Sequence, residues 1–310
     1  MKVPFIRFSD VYTQDKEEIL GALDRVFLTG ELCLGNYGKD IKEFENWFAE
    51  FIGVKHAIMT GSGTQALYLA YKALGIGPGD EVITVAHTFS ATFDQIVALG
   101  ATPVLVDIDD NGLIDFNEVE KAITDKTKVI VPVHLEGKVA YPLFGIRKLV
   151  ERTQKIYVVE DACQAIGANI VKMAKYQVEN TKIGTLVFKN NNPKYRVQLK
   201  AGSFGHLGCF SFYPAKILGT LGNAGAITTN DDELAYKVSM MRCNYRLEKD
   251  PDKIDYGMNF EPDNAWAAAL NVRKNHLPEY IKRRAEIAKM YDEGLYDLPI
   301  KLPLQQEGRV

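Results

Sequence analysis

Short, nearly continuous hydrophobic runs alternate with longer stretches of helical periodicity between residues 54 and 229. The runs are rich in Val and Ile and predict strands at residues 82–86, 103–108, 128–134, 157–161, 209–213 and 224–229. Helical periodicity predicts helices at residues 64–74, 115–123, 264–275 and 278–295. Strands without polar alternation are typical of a sheet buried on both faces, so we expect an α/β fold with a mostly parallel central sheet flanked by helices.

Two segments interrupt this alternation. Residues 169–200 carry six lysines and Arg196 against a single acid, Glu179. Strand-like runs at 185–188 and 195–199 flank a turn at 190–193, which predicts an inserted basic hairpin. Residues 247–256 are charged and interrupted by proline, as in a hinge. We therefore predict a large domain over residues 1–240, containing the hairpin, and a partial small C-terminal domain over residues 241–310.

Composition narrows the class of protein. The 310 residues are 46% hydrophobic and 25% charged, which excludes disordered and fibrous classes. The sequence has no apolar run long enough for a membrane span and no signal peptide, and its net charge of -3 does not favour nucleic acid or anionic lipid. The four cysteines form no CxxC pair, which argues against a zinc site or a disulfide framework. These features predict a cytoplasmic protein without a metal.

Residues 107–118 match the pattern of an EF-hand calcium loop. An EF-hand needs a helix before the loop, whereas here a predicted strand precedes it. We interpret the segment as a strand end and a turn, followed by a helix capped by Asp115 with Glu118 in the capping-box position.

A glycine-rich segment, residues 60–67, leads directly into a predicted helix. Glycines allow backbone amides to approach an anion, and a helix N-terminus carries unpaired N–H groups. The segment predicts a phosphate site, although a simple turn with Thr64 as the helix cap explains it as well. It has neither a Walker lysine nor a GxGxxG pattern, so a monophosphate fits better than a nucleoside triphosphate or a dinucleotide.

Four further residues follow or end predicted strands. Asp161 could pair with a protonated ring nitrogen, or form loop hydrogen bonds. Lys216 lies among apolar residues and could form a Schiff base, or extend its amine to solvent. Ser211 could bind the same anion, and Phe89 could cover a planar ring or belong to the core. Together with the phosphate site, these residues are the set that a pyridoxal phosphate enzyme needs.

Seven segments, in order along the chain, resemble those of the DegT/DnrJ/EryC1/StrS family of sugar aminotransferases. They are residues 61–67, 79–82, 87–92, 131–135, 160–165, 210–216 and 257–259. The resemblance covers about residues 5–295 and implies the type I fold of pyridoxal phosphate-dependent transferases. Three features depart from the family pattern: residues 222–225 read Gly-Asn-Ala-Gly, residues 169–200 are an addition, and the C-terminal part is short.

The resemblance also implies a role for each site residue. Lys216 would hold the cofactor as a Schiff base, Asp161 would pair with the pyridinium nitrogen, and Gln164 would bind the ring hydroxyl. Phe89 would stack on the ring. The phosphate would be held by Gly63, Thr64 and Ser211, and by Asn259 of a second subunit, so the family implies a homodimer with shared sites.

The implied reaction moves an amino group from glutamate or a similar donor to a nucleotide-linked ketosugar. A sugar dehydratase of the same scaffold has His in place of the lysine, and Lys216 argues against it. A non-catalytic subunit that binds the cofactor or acts as a scaffold is the other alternative. The basic hairpin could supply a wall of the substrate pocket that faces a diphosphate, or be a solvated hairpin without a role.

Overall fold

The computed structural model describes residues 6–32, 38–140, 145–146, 149–150, 153, 155–174, 176–181, 184–189, 195–246, 248, 250–253, 255–303 and 309; within residues 171–198 it describes the main chain only. The strands are β1 (His56–Thr60), β2 (Glu81–Val85), β3 (Thr102–Val106), β4 (Thr127–Ile130), β5 (Tyr157–Asp161), β6 (Asn169–Ala174), β7 (Tyr176–Thr181), β8 (Gly184–Lys189), β9 (Tyr195–Lys200), β10 (Leu207–Ser211) and β11 (Gly225–Thr229). The helices are α1 (Phe8–Thr29), α2 (Lys39–Ile52), α3 (Gly63–Ala73), α4 (Ala91–Ala98), α5 (Phe116–Ala122), α6 (Asp232–Met241), α7 (Asn264–Arg273) and α8 (Leu277–Leu295).

A seven-stranded sheet of order β1-β11-β10-β5-β4-β2-β3 forms the centre of the molecule. Strands β10, β5, β4, β2 and β3 are parallel, whereas β11 is antiparallel to both of its neighbours, β1 and β10. Strand β1 therefore runs in the same direction as β10. The predicted α/β fold with a mostly parallel sheet is confirmed, and the carboxyl ends of six strands lie along one edge.

The two edge strands of the sheet differ in burial. Strand β3 has only exposed and partly buried positions, whereas β1 is buried from its second residue onward, and the inner strand β11 is buried throughout. Strand β3 also contains Pro103, which has no N–H to donate and is typical of edge strands. Strand β1 was not predicted.

Helices cover both faces of the sheet. On one face, Phe44 and Phe48 of α2 pack edge-on against Phe212 and Phe210, with ring centroids 5.1 and 4.9 Å apart. On the other face, α3 buries one side of its surface, including Leu67, Leu69 and Tyr71. Helix α7 packs against α1 and α2. The predicted helices correspond to α3, α5, α7 and α8; α1, α2, α4 and α6 were not predicted.

The segment that resembles a calcium loop has the predicted strand before it, β3. The carboxylate of Asp115 accepts a hydrogen bond from the amide of Asn117 (2.7 Å) and caps α5, as predicted. The capping box does not form, because the Asp115 amide donates to the Asp107 carbonyl (3.2 Å) and Glu118 pairs with Lys121 (2.7 Å).

The basic insert consists of two antiparallel ladders, β6 with β9 and β7 with β8. The predicted pairing of runs 185–188 and 195–199 across a turn is therefore wrong. The β7–β8 ladder ends with the pair Thr181 and Gly184, so strands close in sequence pair with each other here; residues 190–193 lie outside the described residues. At the base of the insert, Lys200 donates to the Phe51 carbonyl, and its Nζ lies 3.9 Å from the Phe51 ring centroid.

The predicted wall of positive charge rests on side chains of residues 171–198 and stays a prediction. The predicted division into two domains at residue 240 is also untested. The predicted hinge includes residues 247, 249 and 254, and these, like Cys33, lie outside the described residues. Among the helices of the described residues, none has the length and hydropathy of a membrane span.

Candidate active site

Three strand ends bring the predicted site residues together. Strand β1 ends at Thr60, β5 ends at Asp161 and β10 ends at Ser211, and all three run in the same direction. Ligands of open α/β sheets bind at this edge, outside the carboxyl ends of the strands. The site is therefore built from segments that lie up to 150 residues apart but share one edge of the sheet.

Helix α3 begins at Gly63, and its first turn faces β10. A Cβ atom added to Gly63 would lie 2.7 Å from Cβ of Ser211 and 3.0 Å from Sγ of Cys163, so only glycine permits this close approach. Ser62, rather than Thr64, caps the helix by accepting a hydrogen bond from the Gln65 amide (3.1 Å). The sequence interpretation with Thr64 as the cap is thus wrong.

The start of α3 has the features of an anion site. As the first two residues of the helix, Gly63 and Thr64 have amides without an intrahelical acceptor, and the helix dipole adds partial positive charge. Thr64 is exposed and Ser211 is half-buried, so both hydroxyl groups are open to a ligand. The predicted phosphate residues Gly63, Thr64 and Ser211 are therefore compatible with a phosphate held at this helix terminus.

Asp161 is a buried carboxylate with two hydrogen-bond donors. Its Oδ2 accepts from the Thr92 hydroxyl (2.7 Å), and its Oδ1 accepts from the Cys163 amide (3.1 Å). Its relative exposure is 5%. A carboxylate has about four acceptor positions, so two donors leave capacity for a cationic partner, such as a protonated ring nitrogen.

Thr92, which was not predicted as a site residue, connects Asp161 to the start of α4. Its hydroxyl lies 2.7 Å from Asp161 Oδ2, and its amide donates to the Phe89 carbonyl (3.1 Å) at the start of α4. The side chain of Thr92 is fully buried. One signal was available: Thr92 is a polar residue at a helix start that follows a predicted strand, and such positions meet the ends of neighbouring strands in a parallel sheet.

Two ionisable groups near Asp161, the Cys163 thiol and the Tyr71 hydroxyl, are held in their neutral forms. Burial, and to a lesser extent the nearby acid, raises the pKa of the Cys163 thiol well above its ordinary value, while the charge of Lys216 acts in the opposite direction. Burial raises the pKa of Tyr71 in the same way, and its hydroxyl donates to the Thr92 carbonyl (3.0 Å). Neither the thiol nor the phenol therefore adds negative charge beside Asp161.

Lys216 lies on the loop between β10 and β11, which folds tightly back on itself. The Lys216 amide donates to the Tyr213 carbonyl (2.8 Å), and the Thr220 amide donates to the Phe212 carbonyl (2.8 Å). A Cβ atom on Gly219 would lie 2.7 Å from the Pro214 carbonyl oxygen, so the turn requires glycine. The half-buried lysine side chain lines the same cleft as Cys163, the residue that contacts Gly63.

The cleft has a volume of about 810 Å³ and two walls. One wall includes Lys216, Cys163 and Gln164, and the other is formed by α8. Gln164 accepts a hydrogen bond from the Glu136 amide through Oε1 (3.2 Å), so its side-chain amide nitrogen stays available to a ligand. A volume of this size is within the range of small-molecule sites.

Phe89 and Asn259 are not among the residues that line the cleft. The Phe89 side chain is 69% exposed, which rules out the alternative of a core aromatic and leaves a face free for a planar ring. Asn259 is also exposed; its backbone pairs with Cys243, and the next residue, Phe260, accepts a hydrogen bond from the Gly61 amide (2.9 Å). Among the other predicted residues, Gly63 packs against Ser211, and Cys163 connects Gly63 and Asp161 to the cleft that Lys216 lines.

These residues fit pyridoxal phosphate. The helix terminus at α3 suits the phosphate, the buried carboxylate suits the ring nitrogen, and a lysine lines the adjoining cleft together with Cys163. Within the described residues, no group of three His, Cys, Asp or Glu side chains is placed to hold a metal ion.

The chain is similar along nearly its whole length to known proteins. The chain is 38% identical over 314 residues to a pleiotropic regulatory protein of Geobacillus stearothermophilus, covering 100% of this chain and 76% of that one. It is 37% identical over 305 residues to the dTDP-3-amino-3,4,6-trideoxy-alpha-D-glucose transaminase of Streptomyces venezuelae, covering 98% and 72%.

The crystal structure of S. venezuelae DesV in complex with a ketimine intermediate superposes with a TM-score of 0.83 at 35% identity. The alignment covers 100% of this chain and 75% of that one. The sequence profile of the DegT/DnrJ/EryC1/StrS aminotransferase family matches residues 13–309. The chain therefore belongs to this family, whose enzymes are pyridoxal phosphate-dependent aminotransferases.

Proposed function

We propose that this chain transfers an amino group from glutamate or a similar donor to a nucleotide-linked ketosugar. The observation that carries the proposal is a cleft lined by Lys216 and Cys163, in which Cys163 also adjoins Gly63 and donates its amide to the buried Asp161. The substrate class is supported by the name of the Streptomyces relative, a transaminase of a dTDP-linked sugar.

Pyridoxal phosphate, when bound, supplies an aldehyde for amine exchange and a ring that accepts electrons from the substrate carbon. Lys216 would provide the amine that holds the cofactor, and its Nζ would take and return a proton at the substrate carbon. The backbone of its tightly turned loop is fixed by hydrogen bonds, which orders the base of the side chain that lines the cleft.

The remaining residues bind and orient. Gly63, Thr64 and Ser211 hold the phosphate through backbone amides and hydroxyl groups at the start of α3. Asp161 keeps the ring nitrogen protonated, because a buried carboxylate favours the charged form of a neighbouring base. Phe89 covers one face of the ring and Gln164 donates to the ring hydroxyl.

We further propose a homodimer in the cytoplasm. Asn259 is exposed on this chain and would reach the phosphate site of a second copy. Helix α1 exposes Phe27 by 62% and Leu28 by 80%, which is apolar surface that a second copy could cover. Cys163, Cys209 and Cys243 are free thiols, in keeping with a reducing compartment.

A non-catalytic role is the second candidate, because one relative is named a pleiotropic regulatory protein. A cofactor-binding subunit without turnover would use the same cleft but would not complete the amino transfer. The sugar dehydratase is disfavoured, because Lys216 stands where that group has His.

The deciding experiment follows the donor half-reaction by absorbance. Purified protein loaded with pyridoxal phosphate should absorb in the visible, and glutamate should convert this band to that of the amine form of the cofactor. Borohydride reduction followed by mass spectrometry should place a pyridoxyl adduct on Lys216. Lys289→Ala, which removes another lysine of the cleft, is the matched control and should keep the adduct. A loaded protein that does not respond to any amino donor would support the non-catalytic role instead.

A further inference from the structure

Helix α8 forms the second wall of the cleft. Its first turns pack against the core, and its later turns line the cleft. Leu277 is buried and Ile281 packs against the core, so the start of the helix is fixed to the large sheet. One turn later the cleft is lined by Ala285 and Ala288, whose short side chains leave space rather than fill it. Arg284 lies beside them and also lines the cleft.

Arg284 differs from its neighbours in having no acidic partner. Arg283 pairs with Glu286 at 3.0 Å and Lys289 approaches Glu293 at 3.6 Å. No carboxylate of the described residues lies within ion-pair distance of Arg284. Its side chain is open to solvent, yet the walls of the cleft desolvate it enough to lower its pKa below the ordinary value.

An arginine that lines a cleft without an acidic partner is suited to bind an anion. A bound oxyanion would accept charge-assisted hydrogen bonds from the guanidinium. The planar fork of arginine matches carboxylate and phosphate oxygens in pairs. The other arginine of the cleft, Arg309, already donates through Nε to the Glu136 carbonyl (3.3 Å).

We propose that Arg284 binds an oxyanion of a substrate, across the cleft from Lys216. The inference rests on the proposed function for the identity of that substrate but not for the existence of the anion site. Two sources carry suitable oxygens: the carboxylate groups of the amino donor and the diphosphate of the nucleotide sugar. Arg284 is in this sense a specificity residue. It favours substrates with an anionic group and determines where in the cleft that group binds.

The test compares Arg284→Gln with Arg283→Gln, which removes a neighbouring arginine that does not line the cleft. Calorimetric titration of the pyridoxal phosphate-loaded protein uses unreactive probes: glutarate for the donor, and UDP and dTDP for the nucleotide. We expect Arg284→Gln to weaken at least one probe about ten- to a hundredfold, because a charged hydrogen-bonded pair is lost. Arg283→Gln should leave all three affinities unchanged, and Arg284→Lys should restore only part of the loss.

Each outcome decides the inference. Weaker glutarate binding assigns the donor carboxylate, and weaker UDP or dTDP binding assigns the diphosphate. Unchanged affinity for every probe in Arg284→Gln, with cofactor absorbance and melting temperature intact, overturns the anion site, as does a wild-type protein that binds none of the probes. Failure of the amino-transfer proposal is seen separately, as a wild-type protein that binds probes through Arg284 but never converts its cofactor with an amino donor.

Discussion

Glu160 and Asp161 are consecutive buried carboxylates at the end of β5, but they lie on opposite faces of the strand and meet different surroundings. Asp161 has two donors, at 2.7 and 3.1 Å. Glu160 is fully buried and has four N–H donors at 2.7 to 2.9 Å: Nε2 of His134 and the amides of Gly202, Phe204 and Gly205.

The tautomer of His134 supports its role as a donor to Glu160. Nδ1 of His134 accepts a hydrogen bond from the Ala140 amide (3.0 Å), so the ring proton is on Nε2 and is donated to Glu160. All acceptor capacity of Glu160 is used within the protein, whereas Asp161 keeps some for a ligand. Glu160 thus fixes the chain after the basic insert, whereas Asp161 keeps acceptor positions for a ligand, which we propose to be the cofactor.

The largest effect on stability is expected from Glu160→Gln. The new amide group would turn an N–H toward backbone N–H donors, leaving them unpaired and buried, so the free energy of unfolding should fall by about 3–5 kcal/mol. Urea denaturation measures this change, and Glu120→Gln on the exposed surface of α5 is the control. A loss below about 1 kcal/mol would contradict the structural role of Glu160.

The largest effect on catalysis is expected from Asp161→Asn. The amide keeps the shape and one acceptor but loses the charge that favours a protonated ring nitrogen, so the donor half-reaction should slow by about 10²- to 10³-fold. Stopped-flow absorbance measures the rate, and the melting temperature should drop less than in Glu160→Gln. A half-reaction within about threefold of the wild-type rate would mean that Asp161 does not face the cofactor.

The two acids also differ in how far the sequence predicts them. Asp161 ends a hydrophobic run, and strand ends of parallel sheets carry ligand sites, so its place was predictable. Glu160 receives its backbone donors from residues 42 to 45 positions later, across the insert. Such contacts depend on the path of a loop, and hydrophobic periodicity contains no information about it.

The same limit applies to the fold. The central strands were predictable because burial on both faces leaves a continuous apolar run, whereas β1 at the edge and the antiparallel direction of β11 were not. The insert illustrates the problem most clearly: its strand at residues 195–199 was located to within one residue, yet its partner is β6 and not the neighbouring run. Which strands pair depends on how the chain folds back over many residues, and local composition does not specify this.

A smaller effect is expected from Thr92→Val. Valine keeps the shape but removes the donor to Asp161 Oδ2, while the Thr92 carbonyl that binds Tyr71 is unchanged. Loss of one hydrogen bond to a charged group should slow the donor half-reaction about tenfold, and Thr92→Ser should restore most of the rate. An equal defect in the serine variant would assign Thr92 to packing rather than to positioning Asp161.

The smallest effect concerns Cys163, which reports the electrostatics around Asp161 without any turnover. Because burial and the neighbouring acid raise the pKa of this thiol, the nucleophilic thiolate should be scarce in the native protein near pH 8. Alkylation by iodoacetamide, followed by mass spectrometry of the Cys163 peptide, should be slow there and rise with pH through and beyond pH 9, while protein unfolded in urea should react readily. The Asp161→Asn variant removes one cause of the raised pKa and should react faster at the same pH, by less than the change on unfolding because burial is the larger cause. Equal rates in the wild type and in this variant would show that the charge at the end of β5 does not act on its neighbour, and would weaken the contrast with Glu160.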